Sequence, residues 1–446
     1  MGKGSHIVTI RHLDRDAAVV TYREDLHEFS RILSVPSPAD CPIEALDTHG
    51  HVTLRGLNSW WNNRSIPSSR DGARRLFRLL DVDSPSELLE RSLGLSLSDS
   101  FWVVPDGMQD ATWESVNFFE NDFPDELGLR TAGIEGSSPS HQATWGPSGS
   151  VGGDLPKAWV IGDDGKRILL KGGRGVTAQE PWNELIATKL YERVFPKGLF
   201  VLYHLVRRRG QTFSACDDFI NPGQDFVPAY AAVFNQKRRA SINNYEWCVS
   251  SLERSGVDDV EAFICAMVCC DFVLGNFDRH YGNFGLVRDA NTLEFVGMAP
   301  IFDSGNSLWC NRQTLSPFAD HVSYAYDPLP FASRGEVGGH APDPTRQLRM
   351  LRDFEWYEQT AFDVAPEIVH DVLSQNENFP PRRIDLITKA VKHNVTVLGR
   401  EAALSLKRAH CDEHLKSIGY RQKPSPWELS QRSETEGCLT LCDNER

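Results

Sequence analysis

Apolar and polar residues alternate over short runs in the first part of the chain, whereas longer apolar runs with helical spacing dominate the second half. The alternation in HIVTIRHL (6–13) and HVTLRGL (51–57) predicts two strands. DGARRLFRLL (71–80) predicts a helix, and so does SPSELLERSLGL, where Ser84 or Ser86 can cap the first turn. These patterns predict a mixed part up to about residue 130.

A small antiparallel sheet with one helix is predicted next. The Gly-, Ser- and Pro-rich stretch GIEGSSPSHQATWGPSGSVGGDLPK indicates flexible backbone, and it leads into AWVIGDDGKRILLKGG. The turn at 162–165 between two apolar runs predicts a hairpin. Trp182, Leu185, Ile186, Leu190 and Val194 have the spacing of a helix over 178–195, and the runs at 198–206 and 213–220 predict two further strands.

The second half is predicted to be mainly helical. An apolar helix over 258–274 precedes a second hairpin, FGLVRDANTLEFVGM, and helical patterns continue to about residue 407. The polar end of the chain is predicted to be flexible. We therefore predict an α+β fold in which a β-rich small lobe joins a helical large lobe, an architecture that can enclose a nucleotide in the cleft between the lobes. The predicted parts are an N-terminal subdomain (1–130), a small lobe with a Gly-rich loop (131–220), a large lobe (221–410) and a tail (411–446).

Composition narrows the function. The net charge of −14 disfavours a broad nucleic-acid-binding surface, because phosphate contacts need an excess of Lys and Arg, although QKRRA and RRRG are candidate local basic patches. No apolar run reaches the ~18–20 residues of a membrane helix, and the first residues lack the apolar core of a secretory signal. The ten cysteines form no CxxC pair, which makes structural zinc improbable and favours a reduced, cytoplasmic protein.

The segment LGNFDRHYGNFGLV carries candidate chemistry, because it places charged and amide side chains between apolar runs. Phosphoryl transfer requires a carboxylate that orients the acceptor hydroxyl, and an amide and a second carboxylate that hold Mg²⁺. Asp278 and Asn283 have the spacing of the catalytic Asp and the metal-binding Asn in protein kinases. Asp303 follows the second hairpin in FDSG, where kinases place their magnesium-binding Asp.

The remaining parts of a phosphate site precede this loop in the order found in kinases. Lys171 ends a predicted strand, and Glu184 lies on the next helix, where the two side chains can form an ion pair. GPSGSVGGD (146–154) can offer backbone N–H groups to phosphate oxygens. Each feature alone is weakly specific, and His280 by itself indicates only a supporting role. Their common order indicates phosphoryl transfer.

With these motifs the sequence resembles the HipA-like serine/threonine kinases, many of which are toxins of bacterial toxin–antitoxin pairs. The resemblance implies an α+β, two-lobed protein-kinase-like fold with a β-rich N-terminal lobe and an α-helical C-terminal lobe. The resemblance rests on GGDLPKAWVI, ILLKGG, QEPWNELIATKL, CDDFI, GNFDRHYGNFGLVRD and TLEFVGMAPIFDSGNSLW. It covers residues 140–310 clearly, extends to about residue 400, and weakly includes LNSWWNNRSIPSSR near the N-terminus.

The resemblance implies ATP and Mg²⁺ as cofactors and assigns roles residue by residue. It makes Asp278 the catalytic base, Asn283 and Asp303 the magnesium ligands, and Lys171 the phosphate-binding lysine. The implied nucleotide-binding residues are Ser150, Val151, Gly152, Gly153, Lys157, Lys171, Glu184, His280 and a hinge of Asp217, Asp218 and Phe219. The hinge departs from the family, because Asp217 stands where Glu is common. Family members can be inactivated by autophosphorylation of the Gly-rich loop, for which Ser148 and Ser150 are both candidates.

The implied acceptor is a Ser or Thr hydroxyl of a protein, and any DNA-binding antitoxin would be a separate chain, with no direct contact to nucleic acid or membrane. DRHYGN also matches the DRHxxN loop of phosphoinositide and related lipid kinases, which leaves a lipid or small-molecule kinase open. The acidic chain lacks an evident polybasic face for anionic membranes. A non-catalytic, nucleotide-binding pseudokinase that acts as a scaffold is the alternative of another class.

Overall fold

The computed structural model describes residues 4–67, 70, 77–78, 80–134, 144–238, 240–312, 330–331 and 343–417, with backbone alone over 411–417. Most of the helix predicted at 71–80 lies outside these residues. The strands are β1 (Ser5–His12), β2 (Arg15–Arg23), β3 (Glu28–Ser34), β4 (Phe101–Pro105), β5 (Lys157–Ile161), β6 (Arg167–Lys171), β7 (His204–Arg208), β8 (Gln211–Asp217), β9 (Gln224–Pro228), β10 (Gly285–Asp289) and β11 (Phe295–Met298). The α-helices are α1 (Leu54–Arg64), α2 (Pro85–Arg91), α3 (Trp113–Val116), α4 (Glu126–Thr131), α5 (Glu180–Val194), α6 (Ala229–Phe234), α7 (Asn244–Glu253), α8 (Val260–Leu274), α9 (Thr345–Leu348), α10 (Gln359–Asp363), α11 (Ala365–Leu373) and α12 (Pro381–Ser417).

The N-terminal part is an antiparallel sheet, in the order β3-β2-β1-β4, with helix α1 against it. The strand predicted at 51–57 is wrong, because α1 begins at Leu54. The Thr53 side chain accepts a hydrogen bond from the Gly56 N–H and so caps the helix. Leu57, Trp60 and Trp61 are then buried on one helix face, so helical rather than alternating periodicity governs the segment. Ser84 caps α2, as one of the two predicted alternatives.

The small lobe contains an antiparallel sheet in the order β5-β6-β8-β7, with helix α5 packed beside it. The predicted hairpin is present, because Lys157 pairs with Lys171 and Ile161 with Arg167. The strand predicted at 198–206 begins only at His204. Its first part instead runs beside Ile301, which exchanges backbone hydrogen bonds with the segment through Leu199 and Val201.

Helix α8 is the centre of the large lobe, and almost all of its side chains are buried among those of the surrounding helices. It ends at Gly275, whose φ of +62° is the left-handed conformation that glycine adopts without strain. The chain then enters the predicted catalytic loop. The second hairpin, β10 and β11, follows this loop and forms a three-stranded sheet with β9.

The N-terminal part is joined to the large lobe through buried polar contacts. His12 Nε2 lies 2.8 Å from Asp225 Oδ2, and Arg288 Nη2 donates to the same oxygen at 2.8 Å. Burial by itself would raise the pKa of Asp225, but His12 and Arg288 together lower this pKa to about 2. An apolar cluster that includes Trp102 and Val287 packs beside this network. The two parts therefore share one interface.

Together the β-rich small lobe and the helical large lobe confirm the predicted two-lobed α+β kinase-like fold. The cleft between the lobes contains the loops after α8 and β11. The predicted domain boundaries stay predictions. Within the described ranges, no helix combines the length and apolarity required to cross a membrane.

Because Asp225 is buried and paired, Asp225→Ala is expected to lower the free energy of unfolding by about 3–5 kcal/mol at pH 7. Asp225→Asn should cost progressively less as the pH falls from about 4 to about 2. The pKa of the Asp225 carboxyl is lower in the folded chain than in the unfolded chain. Its contribution to stability is therefore complete at pH values above the unfolded-state pKa, and it is lost as the pH falls through the folded-state pKa. Urea unfolding at a series of pH values measures both effects.

The matched control is Asp25→Ala, which removes an exposed carboxylate paired with Arg23 and should leave the urea midpoint close to that of the parent. Equal urea midpoints for the Asp225 and Asp25 variants would contradict the proposed strength of the buried network.

Candidate active site

A cavity of about 510 Å³ lies between the lobes, within the size range of nucleotide and cofactor pockets. The N-terminal part also forms part of its wall, with Glu44, Trp60 and Arg64. The predicted site residues that line it are Ser150, Val151, Gly152, Gly153, Lys157, Lys171, Asp217, Phe219, Asp278, His280, Asn283 and Asp303. The fold thus gathers residues from three predicted parts of the chain around one space.

Lys171 lies at the centre of this arrangement. Its Nζ donates hydrogen bonds to Glu184 Oε1 at 2.9 Å, to Asp303 Oδ1 at 2.9 Å and to the Tyr203 hydroxyl at 3.0 Å. The lysine side chain is only 4% exposed and that of Glu184 only 2%. Strand β6, helix α5 and the turn after β11 therefore meet at one ammonium group.

The charges in this cluster stabilise one another. Burial by itself would lower the pKa of Lys171. The carboxylates of Asp303 and Glu184 nevertheless hold this pKa well above its usual range. Burial likewise raises the pKa of Asp303, but Lys157 and Lys171 hold it well below the usual range of a carboxyl. Lys157 Nζ lies 3.8 Å from Asp303 Oδ2. The predicted metal-binding carboxyl is therefore ionised, as a cation ligand must be.

The loop after α8 presents Asp278 to the cavity. Asn306 Nδ2 donates to Asp278 Oδ2 at 2.7 Å, and Asn283 Nδ2 donates to the Asp278 carbonyl at 2.8 Å. Burial raises the pKa of Asp278, and the charge of Asp303 raises it further, while the hydrogen bond from Asn306 opposes both. Because the Asn283 amide nitrogen bonds within the loop, its oxygen is the atom available to a cation.

Arg279, fully buried, joins this loop to the segment that carries Asp303. Its guanidinium donates to Asp271 Oδ2 at 2.8 Å, to the Asn283 carbonyl at 2.7 Å and to the Phe302 carbonyl at 2.5 Å. Asp303 has a φ of +56°, a left-handed conformation that Asp tolerates better than most residues. A buried ion pair thus fixes the separation between the two predicted metal ligands.

The Gly-rich loop contains a 3-10 turn, Pro147–Ser150. The Ser148 hydroxyl accepts a hydrogen bond from the Trp159 N–H at 2.9 Å, and Ser148 is 1% exposed. The Ser150 hydroxyl donates to the Pro147 carbonyl at 2.9 Å, and Ser150 lines the cavity. Gly153 has a φ of +84°, and a Cβ there would lie 2.6 Å from Lys157 Nζ. The left-handed φ favours glycine at this position, and the missing Cβ leaves room for the lysine ammonium.

Three predicted site residues lie outside the cavity lining. Glu184 is buried behind Lys171, and Ser148 faces β5. Asp218 does not line the cavity as its hinge neighbours do; its Oδ1 accepts from the Ile220 N–H at 3.1 Å, and burial raises its pKa to about 8. His280 lines the cavity, and its Nδ1 accepts from the Gly282 N–H at 3.0 Å. The roles assigned to all these residues stay predictions.

Sequence reasoning missed several supporting residues. Tyr203, which contacts Lys171 from 32 residues away, and the buried pair Arg279 and Asp271 were not singled out. Asn306 had a signal, since it directly follows the Ser-Gly turn in FDSGN. No sequence pattern indicated Glu44, a residue of the cavity wall formed by the N-terminal part. Burial raises its pKa, and the Tyr230 hydroxyl lies 3.4 Å from Glu44 Oε1.

The donor set is compatible with magnesium bound together with a nucleotide. Among the described residues, no three His, Cys, Asp or Glu side chains form a metal cage. Asp303 and Asn283, which both line the cavity, supply a carboxylate and an amide oxygen. Mg²⁺ commonly uses few protein ligands and completes its shell with phosphate oxygens and water. Asp303 and Asn283 meet that requirement for the metal. The adjacent Lys157 and Lys171 supply positive charge for phosphate oxygens.

Comparisons with known proteins identify kinases. No family model matches the chain. Over 50 residues it is 46% identical to the serine/threonine-protein kinase CtkA of Helicobacter pylori, which corresponds to 11% of this chain and 15% of that protein. The chain thus spans only about 15% of the length of the curated relative it matches.

Two solved structures are also similar. A crystal structure of the Helicobacter pylori proinflammatory kinase CtkA gives a TM-score of 0.39 at 15% identity, with 57% of this chain and 95% of that chain covered. The Shewanella oneidensis HipA–HipB–operator DNA complex gives a TM-score of 0.49 at 16% identity, with 90% and 97% covered. The 50-residue match to a serine/threonine-protein kinase is consistent with the predicted resemblance to the HipA-like kinases.

The charge cluster generates a stability prediction. Lys171→Met should lower the free energy of unfolding by about 3–5 kcal/mol at pH 8, because it leaves Glu184 buried without its cation. Adding Glu184→Gln should restore part of this loss, because the double variant no longer leaves a buried carboxylate without a cation.

Urea unfolding of the single and double variants at pH 8 measures the effect. The control is Lys166→Met, which removes an exposed lysine that pairs with Asp217, and its urea midpoint should stay close to that of the parent. If Glu184→Gln restored no stability to Lys171→Met, Glu184 would not depend on the lysine charge.

Proposed function

We propose that this protein transfers the γ-phosphoryl group of ATP, with Mg²⁺, to a serine or threonine hydroxyl of a protein. The observation that carries the proposal is that Lys171 is held between Glu184 and Asp303 at the cavity that Asp278 and Asn283 also line. Phosphoryl transfer depends mainly on positioning and on electrostatic stabilisation of phosphate charge. The cluster is built for both.

Each residue has one task in this proposal. Mg-ATP supplies the transferable phosphoryl group when it is bound. Asp303 and the Asn283 amide oxygen hold the metal, and Lys171 binds phosphate oxygens while Glu184 fixes its position. Asp278 orients the acceptor hydroxyl and takes its proton at a carboxylate oxygen. The hydrogen bond from Asn306 to Asp278 Oδ2 leaves Oδ1 for the acceptor.

The adenine end of the cavity is assigned to the hinge. Phe219 stacks on Phe302, with ring centroids 5.2 Å apart, and both line the cavity with Leu169. These apolar walls suit a flat heteroaromatic ring. The exposed carboxylate of Asp217 can accept a hydrogen bond from a ribose hydroxyl. Asp218 would act as support for the hinge backbone.

Ser150 is the better candidate for autophosphorylation. It lines the cavity with the predicted phosphate-binding residues, whereas the Ser148 hydroxyl is buried and bonded to the β5 backbone. Phosphorylation of Ser150 would place a second phosphate in the space of the nucleotide phosphates, where like charges repel. A toxin role, a separate antitoxin chain and a cytoplasmic location stay predictions from the family resemblance.

Asp278→Asn is expected to reduce phosphoryl transfer at least about 100-fold, because an amide cannot take the acceptor proton. Nucleotide affinity should be nearly unchanged, since Asp278 is not assigned to the phosphates. In the parent, the acid limb of kcat/KM should lie above the ordinary Asp pKa, because burial and Asp303 raise the pKa of Asp278. Labelled-ATP transfer at a series of pH values measures both.

Asp164→Asn, a substitution in the exposed turn between β5 and β6, is the control and should behave as the parent. Equal transfer by the parent and Asp278→Asn would remove the mechanism. Labelling of added phosphoinositide but of no protein would favour the lipid kinase, and nucleotide binding without any transfer would favour the pseudokinase. Intact mass of the parent reports phosphorylation at Ser150.

A further inference from the structure

One arginine of the N-terminal part contacts the Gly-rich loop directly. Arg70 Nη2 donates to the carbonyls of Val151 and Gly152, the latter at 3.1 Å, and Nε donates to the Gly153 carbonyl at 2.9 Å. Arg70 is 3% exposed, and its backbone N–H closes a turn on the Pro67 carbonyl. Burial lowers its pKa to about 10, so the guanidinium is charged at neutral pH. A buried cation therefore holds three consecutive loop carbonyls.

This contact determines which way the loop N–H groups point. In a trans peptide the carbonyl and the following N–H point to opposite sides. If the carbonyls of Val151, Gly152 and Gly153 face Arg70, then the N–H groups of residues 152–154 face away from it. Val151, Gly152 and Gly153 line the cavity, whereas Arg70 does not. The N–H groups thus point away from the arginine, as an anion-binding nest requires, while the Gly152 carbonyl is also bound by the cavity-lining Lys157 Nζ at 3.1 Å.

We propose that Arg70 is a positioning residue that holds the Gly-rich loop in its phosphate-binding conformation, so that the N-terminal part of the chain sets the affinity for nucleotide. The phosphate part of this inference rests on the proposed function, whereas the loop part does not. Lysine would be a poor substitute, because its single ammonium cannot span three carbonyls as the planar guanidinium does.

The N-terminal part can exert this control because it is anchored elsewhere. His12 and Arg288 bind the buried Asp225, and the Phe226 N–H donates to the Ser98 carbonyl at 2.7 Å. The N-terminal part, which bears Arg70, is thus fixed to the large lobe by one interface and contacts the Gly-rich loop by another. Removing the contact between Arg70 and the loop should therefore leave the interface with the large lobe intact.

The test compares Arg70→Met and Arg70→Lys with Arg11→Met. Arg11 is a matched control, because its guanidinium also donates to backbone carbonyls of the N-terminal part, those of Ala111 and Gln109, which do not line the cavity. The first measurement is amide hydrogen exchange of residues 146–157 without nucleotide. The second is the dissociation constant of a fluorescent ATP analogue with Mg²⁺. The third is kcat and KM for ATP.

Arg70→Met should speed loop exchange and raise both the dissociation constant and KM about tenfold or more, while kcat at saturating ATP stays within about threefold. Arg70→Lys should fall between parent and Arg70→Met, and Arg11→Met should match the parent. Parent-like exchange in Arg70→Met would overturn the loop part. Faster exchange with parent-like affinity would overturn the phosphate part.

Equal loosening by Arg11→Met and Arg70→Met would show general destabilisation and overturn the inference. If the parent itself bound no nucleotide, the proposed function and the phosphate part would fall together, while loop exchange would still decide the role of Arg70 in loop position. Should Arg70→Met not fold, a parent-like loop in Arg70→Lys would count against the inference, and intermediate exchange would support it.

Discussion

A lysine ammonium shared by two carboxylates organises this molecule. Lys171 comes from a strand, Glu184 from the helix beside the sheet, and Asp303 from a turn of the large lobe, yet all three meet within hydrogen-bond distance. Removing charges from water is costly, so buried ions must be arranged with their partners close by. The Lys171 ammonium therefore fixes the position of the two lobes relative to each other, and the same ammonium can bind phosphate oxygens.

The surrounding structure maintains this cluster. Arg279, paired with Asp271, binds the backbone of two large-lobe loops, at Asn283 and at Phe302, and so fixes the loops that carry the predicted metal ligands. The Asp225 network fixes the N-terminal part to the large lobe. That part then becomes a wall of the cavity rather than an appended domain, which connects its packing to the proposed nucleotide site.

Local chemistry could be predicted from the sequence because it depends on neighbours along the chain. The spacing of Asp278 and Asn283, the hairpin before Lys171 and the cap at Ser84 follow from turn, strand and cap preferences. The strand expected at 51–57 failed because alternation over seven residues also fits a helix start, and the Thr53 cap decided the outcome. The boundary of the strand at 198–206 depended on pairing with Ile301, about a hundred residues later.

The sequence alone determined the α+β class, the order of the motifs predicted for a phosphate site, and which acids, amide and lysine we propose for it. Tertiary structure decided which of them meet: it placed Glu184 behind Lys171, turned Asp218 out of the cavity lining, and distinguished the buried Ser148 from the accessible Ser150. It also brought Arg70 to the Gly-rich loop. Contacts between distant residues depend on how whole elements pack, and no short pattern encodes such packing.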